Sequence, residues 1–238
     1  MPSDKSFLAL RLEGPLQSWG FDSQYNRRNT GLMPTKSAIA GMCCAALGYT
    51  RGCEKEQEFL ASFGEVLMTA IAIPQNGTKK DLPVRRLQDY HTVGGGYDPN
   101  SATERGSITV SAEDGKPRAK NGQSLAVLTH RQYLTDASFG VLLEGEASLL
   151  KSIAVALENP VWGVWLGRKT CIPTAPVMAG LKDDRDEALR LLIAEKSLEA
   201  FTLQKDVESF ADGRDSLPDM PGSFATDRRL FSPRRVIT

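Results

Sequence analysis

The sequence predicts an α+β fold, a ferredoxin-like (RRM-like) sheet carrying an inserted β-hairpin or loop arm. Three observations point there. Element signals run strand, helix, strand, break off, and resume as strand, helix, strand. The break, residues 79–131, is thin in apolar residues and carries glycines at Gly94, Gly95, Gly96, Gly106, Gly115 and Gly122, so it buries too little to offset the entropy of its own ordering. A chain of 238 residues is also long enough to bury one large core or two smaller ones. The organisation read from this is a body of residues 1–78 and 132–238, the latter with a C-terminal extension, and an arm of 79–131.

The first strand is Phe7 to Leu12, with Phe7, Ala9 and Arg11 on one face and Leu8, Leu10 and Leu12 on the other. Gly14 and Pro15 are expected to break it. A helix follows from about Ala38 to Leu47, capped by Thr35 or Ser37 and closed at Gly48, where a left-handed residue is wanted. Glu54 to Phe63 reads as an amphipathic helix with Phe59, Leu60 and Phe63 inward. Val66 to Ile73 is a strand ended by Pro74 and Asn76-Gly77. Within the arm, the tip from Glu113 to Gln123 is expected to be mobile unless a partner orders it. Regular structure returns with a strand at Ala137 to Leu143, a helix at Ser148 to Leu157 and a strand at Val161 to Leu166. Asp186 to Lys196 reads as a helix, and Ser209 to Pro233, rich in Pro, Gly, Asp and Ser, as loop.

Composition is that of an ordinary folded chain, with 41% hydrophobic and 24% charged residues and zero formal net charge. Global balance gives no nucleic-acid signature, but the charge is sorted by region. Lys79, Lys80, Arg85, Arg86, Arg105, Lys116, Arg118, Lys120 and Arg131 form one basic region, and Arg168-Lys169 a second. Acidic residues gather in Glu54 to Glu65 and Asp183 to Glu208. The four cysteines, Cys43, Cys44, Cys53 and Cys171, form no Cys-x-x-Cys pair, and two histidines supply no zinc spacing, so neither metal nor other cofactor is expected. Met-Pro-Ser-Asp-Lys at the start lacks an apolar h-region, and no apolar run is long enough to span a bilayer. A cytoplasmic protein with reduced thiols, and no membrane partner, is the expectation.

One stretch concentrates the chemistry. It runs Gly14-Pro-Leu-Gln-Ser-Trp-Gly20, Gln24-Tyr-Asn-Arg-Arg-Asn-Thr30, Pro34-Thr-Lys-Ser37 and Ala45-Ala-Leu-Gly48. Cations, amide and hydroxyl donors and aromatic faces lie beside a helix start, which is chemistry for holding a phosphate backbone. Read alone, the same residues could be turn chemistry, one buried Trp and a solvated arginine pair. The stretch resembles the N-terminal signature of the Cas-five family, RNA-binding subunits of type I CRISPR surveillance complexes. Arg86-Leu-Gln-Asp-Tyr-His-Thr-Val93, Arg131-Gln-Tyr-Leu-Thr-Asp-Ala-Ser-Phe139 and Leu166-Gly-Arg-Lys-Thr-Cys-Ile-Pro173 extend the likeness to the type I-E branch, found in Cascade. It runs from Phe7 to about Pro176 and fades beyond Val177.

The resemblance implies a palm with an inserted thumb and a non-catalytic RNA-binding role in antiviral defence. The protein would grip the 5′ handle of the CRISPR RNA and cap the backbone filament. It would touch the backbone, large and other subunits of Cascade, and target DNA only indirectly. Candidate RNA contacts fall in three groups on the quoted motifs: Gln17, Ser18, Trp19, Arg27, Arg28, Lys36 and Ser37; Arg85, Arg86, Tyr90, His91 and Thr92; and Arg131, Tyr133, Arg168 and Lys169. Gly167-Arg-Lys resembles loops that bring backbone close to phosphate. Trp19, Trp162 and Trp165 are read as core aromatics first. The alternative function is metal-independent cleavage of CRISPR repeat RNA, as in type I-C relatives, for which His91, His130, Tyr90 and Lys36 offer acid, base and cation.

Overall fold

A computed structural model describes residues 5–20, 26–74, 85–93, 119–120, 123–124 and 127–238. In chain order the elements are β1 (Lys5–Gln17), β2 (Arg27–Arg28), α1 (Lys36–Leu47), α2 (Glu54–Gly64), β3 (Leu67–Ala72), β4 (Arg86–Val93), β5 (Ala119–Lys120), β6 (Gln123–Ser124) and β7 (Val127–Glu146). There follow α3 (Ala147–Glu158), β8 (Met178–Lys182), α4 (Arg185–Ile193), β9 (Leu203–Asp206), β10 (Asp215–Ser223) and β11 (Leu230–Ile237). The class is α+β, and the main sheet is ordered β10-β11-β9-β3-β7-β1-β8, with β2 and β4 also paired to β7.

The 20-residue β7 is the spine. Its second half pairs antiparallel with β1 on one edge and β3 on the other, so that Phe139 lies between Leu12 and Ala72. Its first half pairs antiparallel with β4 and parallel with β2, so that His130 lies between Tyr90 and Arg27. Asp136, at φ 51, marks the junction of the halves. A positive φ at a non-glycine residue interrupts regular pleating there.

Both faces of the body sheet are covered. Alternation places Leu8, Leu10, Leu12, Met68, Phe139, Val141 and Leu143 in one core with Ile39 and Cys43 of α1, Phe59, Leu60 and Phe63 of α2, and Leu150 and Ile153 of α3. The opposite face sets Ala9, Ile71 and Leu142 against Ala188, Leu189, Leu192 and Ile193 of α4. Helix α1 starts at an N-cap Thr35 whose hydroxyl accepts from Ala38 N–H, and ends at Gly48 with φ 73. Of the two capping candidates, therefore, Thr35 and not Ser37 acts. No helix among the described residues is long and apolar enough to cross a membrane.

Three local expectations are corrected. Strand β1 runs through Gly14 and Pro15 to Gln17. Pro15 lacks only an N–H facing an edge on which β8 pairs no further than Leu10, and Gly14 is needed because a Cβ there would lie 2.8 Å from Ile172 O. Residues 161–166 form no strand. Their N–H groups turn to other uses, Val161 N donating to Ala46 O at 2.9 Å and Trp162 N to Ala45 O at 3.2 Å, where they satisfy carbonyls at the end of α1. The sheet position beyond β1 is filled by β8 instead, with Leu8 opposite Leu181. The C-terminal loop expected over 209–233 contains the hairpin β10–β11. Pro218 and Pro221 are tolerated because β10 is the edge strand and its register shifts there.

A buried charge network fastens that hairpin to the body. Asp206 of β9 accepts from Lys36 Nζ at 3.0 Å, Met68 N at 3.0 Å and Arg234 Nη1. Asp219 of β10 accepts from Arg234 Nε at 2.6 Å, Arg234 Nη2 at 3.0 Å and Lys36 N at 2.8 Å. Lys36, only 1% exposed, also donates to Val66 O at 2.5 Å. Burial pulls the Lys36 pKa down, against the Asp206 carboxylate that pushes it up.

Of residues 79–131, the described part is residues 85–93, β5, β6 and the first half of β7, where β4 and β7 pair. Gly94 to Gly96, Arg105, Lys116, Arg118 and most of the 113–123 tip lie outside the described residues, as do Tyr25, Asn76-Gly77, Lys79 and Lys80.

Candidate nucleic-acid interface

Residues 18–20 and 26–31 set the first strand of the interface. Trp19 is fully buried against Phe139, its N–H donates to Thr30 Oγ1 at 2.8 Å, and Gly31 N–H returns to Trp19 O at 2.7 Å. These contacts hold Arg27 and Arg28 against β7 as β2, helped by His130 N–H donating to Asn26 O at 2.8 Å.

The three strands β2, β7 and β4 form a ribbon whose two faces differ in chemistry. Registered neighbours share a face, and successive residues alternate. One face carries Arg27, His130, Tyr90, Gln88, Gln132 and Arg86. Tyr90 is 60% exposed and its ring centroid lies 5.0 Å from that of His130. Arg27, Asn29, Gln88, His130 and Gln132 line a shallow pocket of about 190 Å³ there. No carboxylate is among these residues. The other face carries Arg28, Arg131, Asp89, His91 and Tyr133. Asp89 Oδ2 lies 3.3 Å from His91 Nδ1, and Arg131 Nε donates to Thr129 Oγ1 at 3.0 Å, so the polar groups on this side are partly answered from within the chain. Exposed aromatic surface, amides and arginines on the first face suit a single strand, with stacking for bases and guanidinium for phosphate.

The other sequence candidates divide sharply. Gln17 is fully buried: its amide donates to Leu12 O at 3.0 Å and Ala137 O at 2.7 Å, and its oxygen accepts from Trp19 Nε1 at 3.2 Å. Ser18 is buried beneath Gln132, and Lys36 belongs to the internal charge network. All three side chains are buried in the chain by itself, and Ser18 also borders the groove described below. Tyr133 is buried beneath Arg168, whose guanidinium carbon sits 4.8 Å from the ring centroid. Arg168 itself clamps the chain, donating to Gln132 O at 3.0 Å and Arg28 O at 2.7 Å. Gly167 makes its close approach to the protein's own backbone. At φ 96, a Cβ there would fall 1.8 Å from Ser18 O, so glycine is required whether or not a phosphate is near. Arg85 and Arg86 are exposed on β4's start, and Thr92 lies on β4, with only its backbone described.

Ser37, Arg28 and Lys169, with Ser18 and Arg168, also border a groove of about 570 Å³ between α1, the 161–171 loop and the turn joining β10 to β11. Arg51, Glu56, Trp162, Trp165, Phe224, Arg229 and Phe231 line it too. The sequence reading missed these as site residues. Paired aromatics and arginines in a segment taken for loop, Phe224 to Phe231, were the available signal.

The chain is similar to known proteins along nearly its whole length. It is 29% identical over 192 residues to "CRISPR system Cascade subunit CasD" of Escherichia coli (strain K12), covering 79% of this chain and 76% of the relative. A chain of a solved "CRISPR RNA-guided surveillance complex" superposes with a TM-score of 0.68 at 30% identity, over 97% of this chain and 88% of that one. A second, "Crystal structure of Cas protein", gives a TM-score of 0.58 at 26% identity, over 97% and 92%. Residues 7–237 match the profile of the family described as CRISPR-associated protein (Cas_Cas5), and the chain belongs to that family.

Proposed function

We propose that this protein is a non-catalytic RNA-binding subunit of a type I-E CRISPR Cascade complex. It grips the 5′ handle of the CRISPR RNA, caps the backbone filament in antiviral defence, and works in the cytoplasm. Its partners are the CRISPR RNA and the backbone, large and other subunits of the complex, with target DNA met only through them. The observation that carries the reading is the ribbon face, free of carboxylates among its described residues, where exposed Tyr90 against His130 is flanked by Arg27 and Arg86. Membership of the Cas_Cas5 family and likeness to a Cascade subunit support it. RNA contacts are assigned to Arg27, Arg28, Arg86, Tyr90, His91, Thr92, Arg131 and Lys169, with Ser37 at the groove. Gln17, Ser18, Lys36, Tyr133 and Arg168 hold these in place.

The palm is of the ferredoxin-like, RRM-like kind. Its support is the order β8-β1-β7-β3, with helices bridging β1 to β3 and β7 to β8. Residues 1–78 and 132–238 make this palm, and residues 79–131 the thumb, whose base shares β7 with it.

Cleavage needs an acid and a base around one phosphodiester. His130 belongs to one ribbon face and His91 to the other, which supports a grip without a cut. The protein incubated with its cognate repeat RNA in EDTA should retain that RNA intact, and His91→Ala should weaken retention only. One defined product, lost in His91→Ala, would establish the ribonuclease reading instead.

A further inference from the structure

Strand β2 is held in place against its own charge. It is two residues long, both exposed, and joins β7 by parallel pairing, the weaker kind. Register sets Arg28 directly opposite Arg131, and like charges opposite one another destabilise a pair. Contacts outside the ladder must therefore fix the strand, and Arg168 supplies three of them. Its Nη2 donates to Arg28 O at 2.7 Å and Asn29 O at 3.5 Å, and its Nη1 to Gln132 O at 3.0 Å, so one guanidinium ties β2 to β7. Its carbon lies 4.8 Å from the ring centroid of buried Tyr133, which backs the fork.

The arginine comes from a loop that is itself fixed. Ser18 N–H donates to Leu166 O at 3.0 Å, Leu166 N–H to Cys171 O at 2.8 Å, and Cys171 N–H to Arg168 O at 2.8 Å. The loop is thus tied to the chain just past β1 and to itself. A lysine cannot do the same work, because a single ammonium lacks the planar fork that spans carbonyls on two strands.

We propose that Arg168 is a positioning residue for the RNA grip: it holds β2 where Arg27 and Arg28 reach RNA phosphate, and meets no phosphate itself. The inference rests on the RNA-binding reading above and deepens it, since the grip uses the fork of Arg168 and not its charge.

The test is the affinity for cognate repeat RNA across a salt series. Arg168→Lys keeps the charge, so a direct phosphate contact would survive it with the log-log slope unchanged. The clamp would not survive. Affinity should fall about tenfold, the scale of a hydrogen bond to a charged group, and the slope should drop by about 0.7 to 1.4 as one or both β2 contacts are lost. In the Arg27→Ala, Arg28→Ala background, Arg168→Lys should lower the slope no further, because it acts through those residues. Tyr90→Ala should weaken binding by the same factor with Arg168→Lys as without it, which shows β4 and β7 still paired. An unchanged slope in Arg168→Lys, or a further drop in the triple variant, would overturn the proposal. A Tyr90→Ala effect that vanishes with Arg168→Lys would overturn it too and make Arg168 a general support of the fold. Failure of the wild-type protein to hold repeat RNA would instead bring down the RNA-binding reading itself.

Discussion

Replacing Asp206 by alanine should destabilise the protein by about 3–5 kcal/mol, the usual cost of removing one partner from a buried ion pair. Asp206 is the junction where Lys36 at the start of α1, the N–H of Met68 on β3, and Arg234 on β11 converge. Its removal strands two cations, both almost wholly enclosed. Asp219 continues to hold Arg234, so the larger loss falls on Lys36. Without Asp206, the desolvation that already pulls the Lys36 pKa down loses its largest opposing charge, and only the more weakly acting Asp219 carboxylate still pushes it up. The folded variant should then shed the Lys36 proton, whereas the unfolded chain keeps it up to the ordinary lysine range. Where the unfolded state binds more protons, stability rises with pH. The deficit of Asp206→Ala relative to wild type should therefore shrink as pH is raised from 7 toward 10. Urea midpoints at both pH values check this, and a deficit that is absent at pH 7, or that widens with pH, contradicts it.

The second large effect concerns RNA. Tyr90→Ala should weaken single-strand binding by about 1–3 kcal/mol, the value of one base stacked on an aromatic ring. Arg27→Ala and Arg86→Ala should each reduce the log-log salt slope by about 0.7, as one phosphate contact is lost. Tyr90→Ala should leave the slope alone, because stacking releases no counterion. The three residues share a ribbon face but belong to β2 and β4, separated by some sixty residues of sequence and joined only through β7. Tight binding with an unchanged slope in the Arg27→Ala, Arg86→Ala variant would make both surface charges and nothing more.

What could be read from the chain alone follows from how local each signal is. The Leu8, Leu10, Leu12 alternation, the Thr35 cap and Gly48 are decided within a turn or two, and each is found where the pattern puts it. Lys36 misleads for the opposite reason. A lysine at a helix start looks like an anion site until Asp206, 170 residues away, is known to take its ammonium. Gln17 and Arg168 look like nucleic-acid donors, yet their hydrogens go to carbonyls that only the folded chain brings near. Trp162 and Trp165 suggest a strand by propensity, but the segment's N–H groups close the end of α1 instead. Prolines hid β10, since they are compatible with an edge strand and otherwise read as loop. The ribbon face needed pairing register. Tyr90 and His91 are adjacent in sequence and equal in appeal, and only the partner positions His130 and Thr129 separate them.

The central claim is that this chain holds a CRISPR RNA by its 5′ handle through the Arg27, Arg86 and Tyr90 face. The most direct measurement is to express it with the other subunits of its complex and a repeat-spacer transcript, recover the assembly through this chain, and sequence the bound RNA. The account predicts RNAs that share one repeat-derived 5′ end ahead of variable guides, with that end exposed to nuclease when Arg27, Arg86 and Tyr90 are replaced together by alanine. RNA of arbitrary 5′ sequence, or a 5′ end equally protected in the triple variant, would contradict it.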